Sequence, residues 1–218
     1  MKLVRILHAV ALSLLCVLAA TAQAARDAQW TIVDLGTLDG SEGSSGLGFN
    51  NRGDVVGHAL FRFGTSATTW VRPFLWQNGT MTDLMPPGEH PFESGQGVAI
   101  SEKGTVVLQV SGRLFTWEDG VATQLPFFGV ARDMNNHGAI VGNASTGFFS
   151  RAFLYQNGVL NDLGTLGGMT SEAFGVNNSG MVVGRSQVPT FNDHAFVYEK
   201  GAMRDIGTLG GDGRSRST

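Results

Sequence analysis

The sequence predicts an all-β repeat protein, a β-propeller-like array of about four four-stranded blades of roughly 40 residues each. Glycine is abundant, with 31 in 218 residues, and charged residues make up only 15%. This balance is typical of short strands and tight turns. A hydrophobic share of 42% is enough for a core. Short phrases also return about every 40 residues, which is near the length of a propeller blade.

The first 24 residues are predicted to be a secretory signal peptide. Lys2 and Arg5 precede an apolar run at residues 6–20, and Ala22-Gln23-Ala24 matches a cleavage site. Cleavage would remove Cys16, the one cysteine, so no disulfide is expected. It would leave 13 basic and 18 acidic residues, a net charge of −5. We therefore predict export by the Sec route to the periplasm or the medium, with no membrane or nucleic-acid partner.

Three anchors recur in the same order along residues 25–204, which we predict to be one repeat domain. They are a four-residue turn ending in glycine, an aromatic triplet, and a strand end that usually starts with an acid. The turns begin at Asn50, Ser101, Asn135 and Asn177, the triplets at Phe74, Phe115, Phe153 and Phe196, and the strand ends at Asp34, Asp83, Gln124, Asp162 and Asp205. The repeats are predicted at about 34–82, 83–123, 124–161 and 162–204, with a truncated fifth repeat at 205–218.

Each repeat is predicted to hold four short strands. In the best-preserved copy these are residues 173–176, 181–184, 195–198 and 202–206. The turn Asn177-Asn178-Ser179-Gly180 joins the first two strands. Turns such as Asn157-Gly158 join the third strand to the fourth, because Asn-Gly favours the left-handed backbone of a type I′ hairpin. The third strands are apolar on both faces, which indicates a neighbouring blade on each side.

Three phrases of the fourth repeat resemble the extracellular HAF repeat of bacterial secreted proteins, which is named for its His-Ala-Phe triplet. They are Asp162-Leu-Gly-Thr-Leu-Gly-Gly, Val176-Asn-Asn-Ser-Gly-Met-Val-Val-Gly184 and His194-Ala195-Phe196. The resemblance covers nearly all of the mature chain. It implies export and a propeller-like repeat fold, and it implies no established biochemical activity. The second copy departs from the pattern at residues 83–87 and 101–104, and only the last copy keeps the histidine.

The hairpin register predicts ion pairs between the third and fourth strands. If Asn157-Gly158 is a two-residue turn, Phe153 faces Asp162, and Arg151 lies diagonal to that aspartate on the same face. The same counting places Arg72 near Asp83, His194 near Asp205, and Arg113 near Gln124. Structural ion pairs are the preferred interpretation. The alternative is that the four cationic side chains gather at one end of the ring and bind an anionic ligand.

An aromatic residue recurs at one repeat position, as Trp76, Trp117, Tyr155 and Tyr198. Packing between blades accounts for these residues, since aromatic rings suit a half-buried pleated surface. If exposed on a rim, they would form a stacking platform for sugars, and they are the predicted ligand-binding residues. The predicted partner is an extracellular ligand, with a glycan as the concrete candidate. Loops at residues 61–71 and 187–193 are the longest and are expected to carry any specificity.

Other motifs have plain explanations. Arg52-Gly53-Asp54 falls on the ordinary repeat turn, and His58, His90, His137 and His194 lack the spacing of a zinc site. No nucleotide-binding or esterase motif is present in the sequence, so we predict no cofactor, no metal and no catalytic residue. Two carboxylate pairs suitable in type for glycoside cleavage, Asp39 with Glu42 and Glu89 with Glu93, lie in predicted loops as solvated surface.

The sequence therefore predicts a secreted binding or scaffolding module at the cell exterior. The alternative is an extracellular hydrolase or lyase acting on glycans or peptides, with its active site on the rim loops. A third possibility, a truncated array, would leave an exposed edge and predicts poor solubility or dimerisation.

Overall fold

The structure is a computed structural model that describes residues 31–209 except 63, 65–67, 91 and 146. The predicted signal peptide and residues 210–218 of the fifth repeat lie outside the described residues. Every strand of the described residues lies in the part of the chain that begins at Leu35. Within the described ranges all regular structure is β-strand, which confirms the all-β class.

The strands form four antiparallel four-stranded units, numbered 1 to 4 in chain order. Unit 1 holds β1 (Gly43–Phe49), β2 (Val55–Arg62), β3 (Thr69–Gln77) and β4 (Thr80–Asp83). Unit 2 holds β5 (Gly95–Ile100), β6 (Val106–Val110), β7 (Arg113–Glu118) and the first half of β8 (Val121–Met134). Unit 3 holds the rest of β8 with β9 (Ile140–Ser145), β10 (Ser150–Gln156) and β11 (Val159–Asp162). Unit 4 holds β12 (Ser171–Val176), β13 (Val182–Gln187), β14 (Asp193–Glu199) and β15 (Ala202–Gly207).

Strand β8 is the fourth strand of unit 2 and the first strand of unit 3. Its first residues pair with β7, and the residues from Gly129 onward pair with β9. Units 2 and 3 therefore share one seven-stranded sheet. The repeat boundary predicted at Gln124 lies inside this strand, and the chain there lacks the glycine pair that follows Leu166 in the connection between units 3 and 4.

The predicted hairpin register is confirmed. Gln156 pairs with Val159, Tyr155 with Leu160, and Phe153 with Asp162. Asn157 and Gly158 both have positive φ, 54° and 78°, as a type I′ turn requires. The strand-three hairpins of the other units turn at Asn78-Gly79, Asp119-Gly120 and Lys200-Gly201, again with positive φ at both residues.

The core consists of apolar layers between successive units. Between units 1 and 2, for example, Val56 and Leu75 pack with Ile100 and Val106. Equivalent clusters join unit 2 to unit 3 and unit 3 to unit 4. The phenylalanine that opens each aromatic triplet is buried in every unit, at Phe74, Phe115, Phe153 and Phe196. Each inner unit thus packs between two neighbours, as the apolar third strands predict.

The first turns of the four units are linked by hydrogen bonds. The Asn51 N–H donates to Glu102 Oε1 (3.0 Å), the Glu102 N–H to Asn136 Oδ1 (2.9 Å), and the Asn136 N–H to Asn178 Oδ1 (3.0 Å). These turns therefore lie together at one end of the molecule, which we call the turn end. Because strands alternate in direction, the loops between second and third strands and the connections between units lie at the opposite end, the loop end.

Candidate binding site

The predicted ion pairs between third and fourth strands are confirmed in three units. Arg72 pairs with Asp83 at 2.8 Å, Arg151 with Asp162 at 3.6 Å, and His194 with Asp205 at 2.8 Å. The Gly207 N–H and His194 outweigh the effect of burial and lower the pKa of the Asp205 carboxyl. Arg72, Arg151 and His194 are thus each held by a carboxylate of their own unit, which favours the structural interpretation over a shared anion site.

Arg113 differs from the other three, and the structure corrects its predicted position near Gln124. A register shift in the β7–β8 ladder places Arg113 opposite Phe128 instead. Its guanidinium binds both Glu89 and Glu93, in the connection between units 1 and 2. These two glutamates, one of the candidate carboxylate pairs, are therefore held by one arginine. In the other candidate pair, Glu42 binds Arg62 at 2.9 Å.

The recurring aromatic residues Trp76, Trp117, Tyr155 and Tyr198 are all half-buried. Trp117 packs on the apolar layer between units 1 and 2, Tyr155 on the next layer, and Tyr198 on the last. Trp76 packs beside Phe74 on the outer face of unit 1. These contacts are those of packing between units, and a ligand-binding role for the four residues stays a prediction.

A polar cavity of about 200 Å³ lies at the loop end, between units 3 and 4. Its lining residues come from the loop-end termini of five strands and from the connection between the units. They are Asn143, Ser150, Thr170, Ser171, Glu172, Arg185 and Asp193. Sequence reasoning indicated only the loop that ends at Asp193. The remaining residues are up to 42 positions apart and belong to no common motif.

A charge network forms one wall of this cavity. Glu172 accepts hydrogen bonds from Arg132 Nε (2.9 Å) and from Arg185 Nη2 (3.0 Å). Arg185 Nη1 also donates to Asp193 Oδ2 (2.8 Å). Burial alone would lower the pKa of the Arg185 guanidinium, but Glu172 and Asp193 raise it above its usual value. The two arginines and two carboxylates balance in charge and hold one another in place.

A second wall carries an unsatisfied acceptor. Asn143 Nδ2 donates to Ser150 Oγ at 2.8 Å, while Asn143 Oδ1 is buried and has no hydrogen-bond partner among the described residues. A buried polar atom in this state costs about 1–3 kcal/mol. Ser171 Oγ fixes the adjoining backbone, since it accepts the Ala152 N–H (2.9 Å) and donates to the Gly164 carbonyl (2.5 Å). One acceptor in this wall, Asn143 Oδ1, is therefore left without a donor among the described residues.

Exposed phenylalanines lie on the two loops that end at the cavity-lining residues Ser150 and Asp193. Phe148 and Phe149 immediately precede Ser150, and Phe191 lies two residues before Asp193. Phe191 has a φ of 62° within a tight turn, where its N–H donates to the Val188 carbonyl at 2.9 Å. This left-handed conformation is rare for a bulky side chain and costs about 1–3 kcal/mol. The strained turn leaves the Phe191 ring exposed to solvent.

Together these features define the class of protein as a β-propeller-like domain with a polar site between two blades at its loop end. No family model and no curated protein matches the sequence. Among solved structures, the β-propeller domain of the trilobed protease from Pyrococcus furiosus, described as having an open velcro topology, is similar with a TM-score of 0.54 and 10% identity. The match covers 78% of this chain and 56% of that chain.

An acylaminoacyl peptidase from Pyrococcus horikoshii is similar with a TM-score of 0.53 and 11% identity, over 78% of this chain and 28% of that chain. The chain thus spans about half or less of the length of these two proteins. At this level of identity, the likeness shows the propeller fold. In the portion of the chain that the structure describes, no cluster of metal-binding side chains occurs, and no helix is long and apolar enough to cross a membrane.

The pH dependence of stability is expected to report on Asp133, which links units 3 and 4. Its Oδ2 accepts the Val176 N–H at 2.9 Å. Burial raises the pKa of this carboxyl above its ordinary value, and the N–H groups of Val176 and Met134 offset part of that rise. As pH rises, the unfolded chain therefore loses this proton first, and folding stability falls until the pH passes the raised folded-state pKa.

An Asp133→Asn variant keeps an oxygen for the Val176 N–H and cannot ionise. Its single oxygen leaves the Met134 N–H without this acceptor, so we expect lower stability than the wild type at acidic pH, and we expect the fall in stability between acidic and neutral pH to be absent. Urea unfolding at several pH values measures both effects. A variant that follows the same pH profile as the wild type would exclude Asp133 as the source.

Proposed function

We propose that this chain is an exported binding module that holds its ligand in the polar cavity between units 3 and 4. One observation carries the proposal. A neutral network of charges and an unsatisfied acceptor, Asn143 Oδ1, line a cavity whose entrance loops expose phenylalanine rings. Specific binding sites commonly combine an apolar surface with a few fixed polar groups.

The chemistry of the cavity favours a hydroxylated ligand such as a glycan. A hydroxyl group both donates and accepts, so it can satisfy Asn143 Oδ1 and also bind Ser150 or Arg185. The balanced charges provide no net attraction for an ion. The apolar C–H faces of a sugar ring match the exposed faces of Phe149 and Phe191. A volume of about 200 Å³ is below the 300–1,000 Å³ usual for ligand pockets, which suits one sugar unit of a longer chain.

The proposal is tested by screening the full chain against a glycan array and measuring affinities by calorimetry. Asp193→Asn removes an acceptor and weakens the hold on Arg185, so we expect about tenfold weaker binding. Asp83→Asn is the matched control, because Asp83 pairs with Arg72 away from the cavity. We expect this control to bind as the wild type does. Failure of every glycan to bind, or equal binding by the Asp193 variant, would contradict the proposal.

Phe191→Gly is expected to separate binding from stability. Glycine adopts a positive φ without strain, which offsets its entropic cost of about 0.5–1 kcal/mol in the unfolded chain. The variant is therefore expected to unfold at the same urea concentration as the wild type or a higher one, while binding glycan about tenfold more weakly. Phe191→Ala, which loses the ring but keeps the strained backbone, serves as the control: it should bind as weakly and be less stable than Phe191→Gly.

The alternative function is an extracellular hydrolase or lyase. Its support is limited to the fold, since the two solved structures above are a protease domain and a peptidase. A turnover screen against glycans and peptides discriminates between the two functions. If the wild type shows turnover, and Asp193→Asn abolishes that turnover but still binds the substrate, the protein is an enzyme with its active site at the loop end.

A further inference from the structure

We infer that copies of this chain associate head to tail, with unit 4 of one copy packing against unit 1 of the next. The inference rests on the contact between successive units, which occurs three times within the chain and always uses the same positions. The two outermost faces carry the same residue types as these contacts. This association does not depend on the proposed ligand site.

The outward face of unit 4 carries apolar residues that other units bury. At the end of the fourth strand, Leu84, Leu125 and Leu163 are 2%, 5% and 6% exposed, and each packs toward the following unit. Their counterpart in unit 4 is Ile206, which is 50% exposed. Beside it, Val183 and Val197 are half-buried, whereas Val141, the counterpart of Val183 in unit 3, is fully buried.

The outward face of unit 1 shows the complementary pattern. The last residue of each first strand packs toward the preceding unit, where Ile100, Met134 and Val176 are all buried. In unit 1 this residue is Phe49, which is 78% exposed. Val55, at the start of β2, is half-buried, although its counterparts in the other units are completely buried. Phe49 at 78% and Ile206 at 50% exposure show that the two faces do not cover each other within one chain.

Hydrogen bonds at the turn end show the same complementarity. Asn50 and Asn135 donate their side-chain amides to carbonyls of the following turn, at Ser101 and Asn177. Asn177, in the last turn, is the next such donor, and no partner for its Nδ2 occurs among the described residues. The hydrogen-bond chain that starts at Asn51 likewise ends with an N–H donor at Asn178, while Asn51 Oδ1 has no donor in the described ranges.

A second copy of the chain fits these faces, because unit 1 of one copy can pack on unit 4 of another in the way that unit 4 packs on unit 3 within one chain. Phe49 and Val55 of one copy would cover Val183 and Ile206 of the other, and the Asn178 N–H would donate to Asn51 Oδ1. The contact joins two different faces, so it is heterologous and can either close a ring or extend into a chain of copies. Leu38, which precedes β1, already packs beside Phe74 on this face of unit 1, much as Leu166 packs in the layer between units 3 and 4.

Sedimentation of the full chain over a range of concentrations tests the inference. We expect the wild type to form dimers or larger species as concentration rises. Phe49→Glu and Ile206→Glu each place a charge in the contact, and each variant alone should associate at least about tenfold more weakly. An equimolar mixture of the two variants retains one intact contact, between the unaltered face of each. The mixture should therefore form a dimer and nothing larger.

Val159→Glu is the matched control, since Val159 has a similar exposure and lies at the hairpin between β10 and β11. It should associate as the wild type does. A wild type that stays monomeric at all concentrations overturns the inference. A mixture that stays monomeric also overturns it, because the two unaltered faces then do not bind each other. Association that only one of the two glutamate variants prevents overturns it as well, because that result indicates an interface between identical faces.

Discussion

Replacing Gly142 with alanine is expected to destabilise the protein by about 3 kcal/mol or more. A Cβ atom at this position would lie 1.9 Å from the Val130 carbonyl oxygen and 3.0 Å from the Ala131 Cα. Both atoms belong to the backbone of the neighbouring strand β8, which cannot move aside by changing a rotamer. The strands must separate, and the hydrogen bonds of the β8–β9 ladder and the packing of unit 3 on unit 2 weaken together.

Gly43→Ala is the control for this prediction. Gly43 also lies in a strand, and a Cβ there would meet nothing within 4 Å. Its expected effect on the free energy of unfolding is within about 0.5 kcal/mol. Urea unfolding of both variants measures the difference. Equal stabilities would show that β8 and β9 can move apart at little cost.

The pairing of first and second strands in the four units explains why position 142 is a glycine. Gly142 faces Ala131 across the ladder, and Gly184 faces Ala173 in the same way. In unit 2 the corresponding residue is Leu108, and there the glycine is on the other strand, at Gly97. Each such pair therefore contains at least one glycine. In every unit a β-bulge in the first strand follows immediately, and it accompanies this close approach of the two strands.

Hairpin registers and their ion pairs were predictable from the sequence because they depend on local geometry. A two-residue turn such as Asn157-Gly158 fixes which residues face each other, and the pairing of Arg151 with Asp162 follows from counting. The fold class was predictable for a related reason. A unit of four strands that repeats its turn and triplet positions can bury its two apolar faces only against copies of itself.

The polar cavity was not predictable from the sequence, because it depends on how unit 4 packs against unit 3. Asn143 and Glu172 belong to different sheets, and no turn or spacing relates them. The partners of Arg113 were missed for the same reason, since Glu89 lies in an irregular connection whose path the repeat does not define. The continuity of β8 was missed because the repeat predicts a connection where the chain instead stays extended.

Phe153→Ala is expected to lower the free energy of unfolding by about 3–5 kcal/mol. Phe153 is 1% exposed, lies in the apolar layer between units 2 and 3, and meets Phe127 edge to face at 5.2 Å. Removing the ring leaves a cavity lined by strands of one continuous sheet, which cannot collapse easily. Phe148→Ala is the control, because the same substitution at an exposed position should change stability by less than about 0.5 kcal/mol.

The shape of the unfolding transition provides a second measurement. Strand β8 pairs with both β7 and β9, so unit 2 cannot unfold without taking the first strand of unit 3 with it. Phe153→Ala is therefore expected to keep a single transition at a lower urea concentration.

Phe196→Ala weakens the contact between units 3 and 4. These two units are joined by an irregular connection and share no strand. This variant should broaden or split the transition, because each unit of a repeat array is stabilised mainly by its neighbours. Two clear transitions for Phe153→Ala would show that β8 does not couple the units it connects.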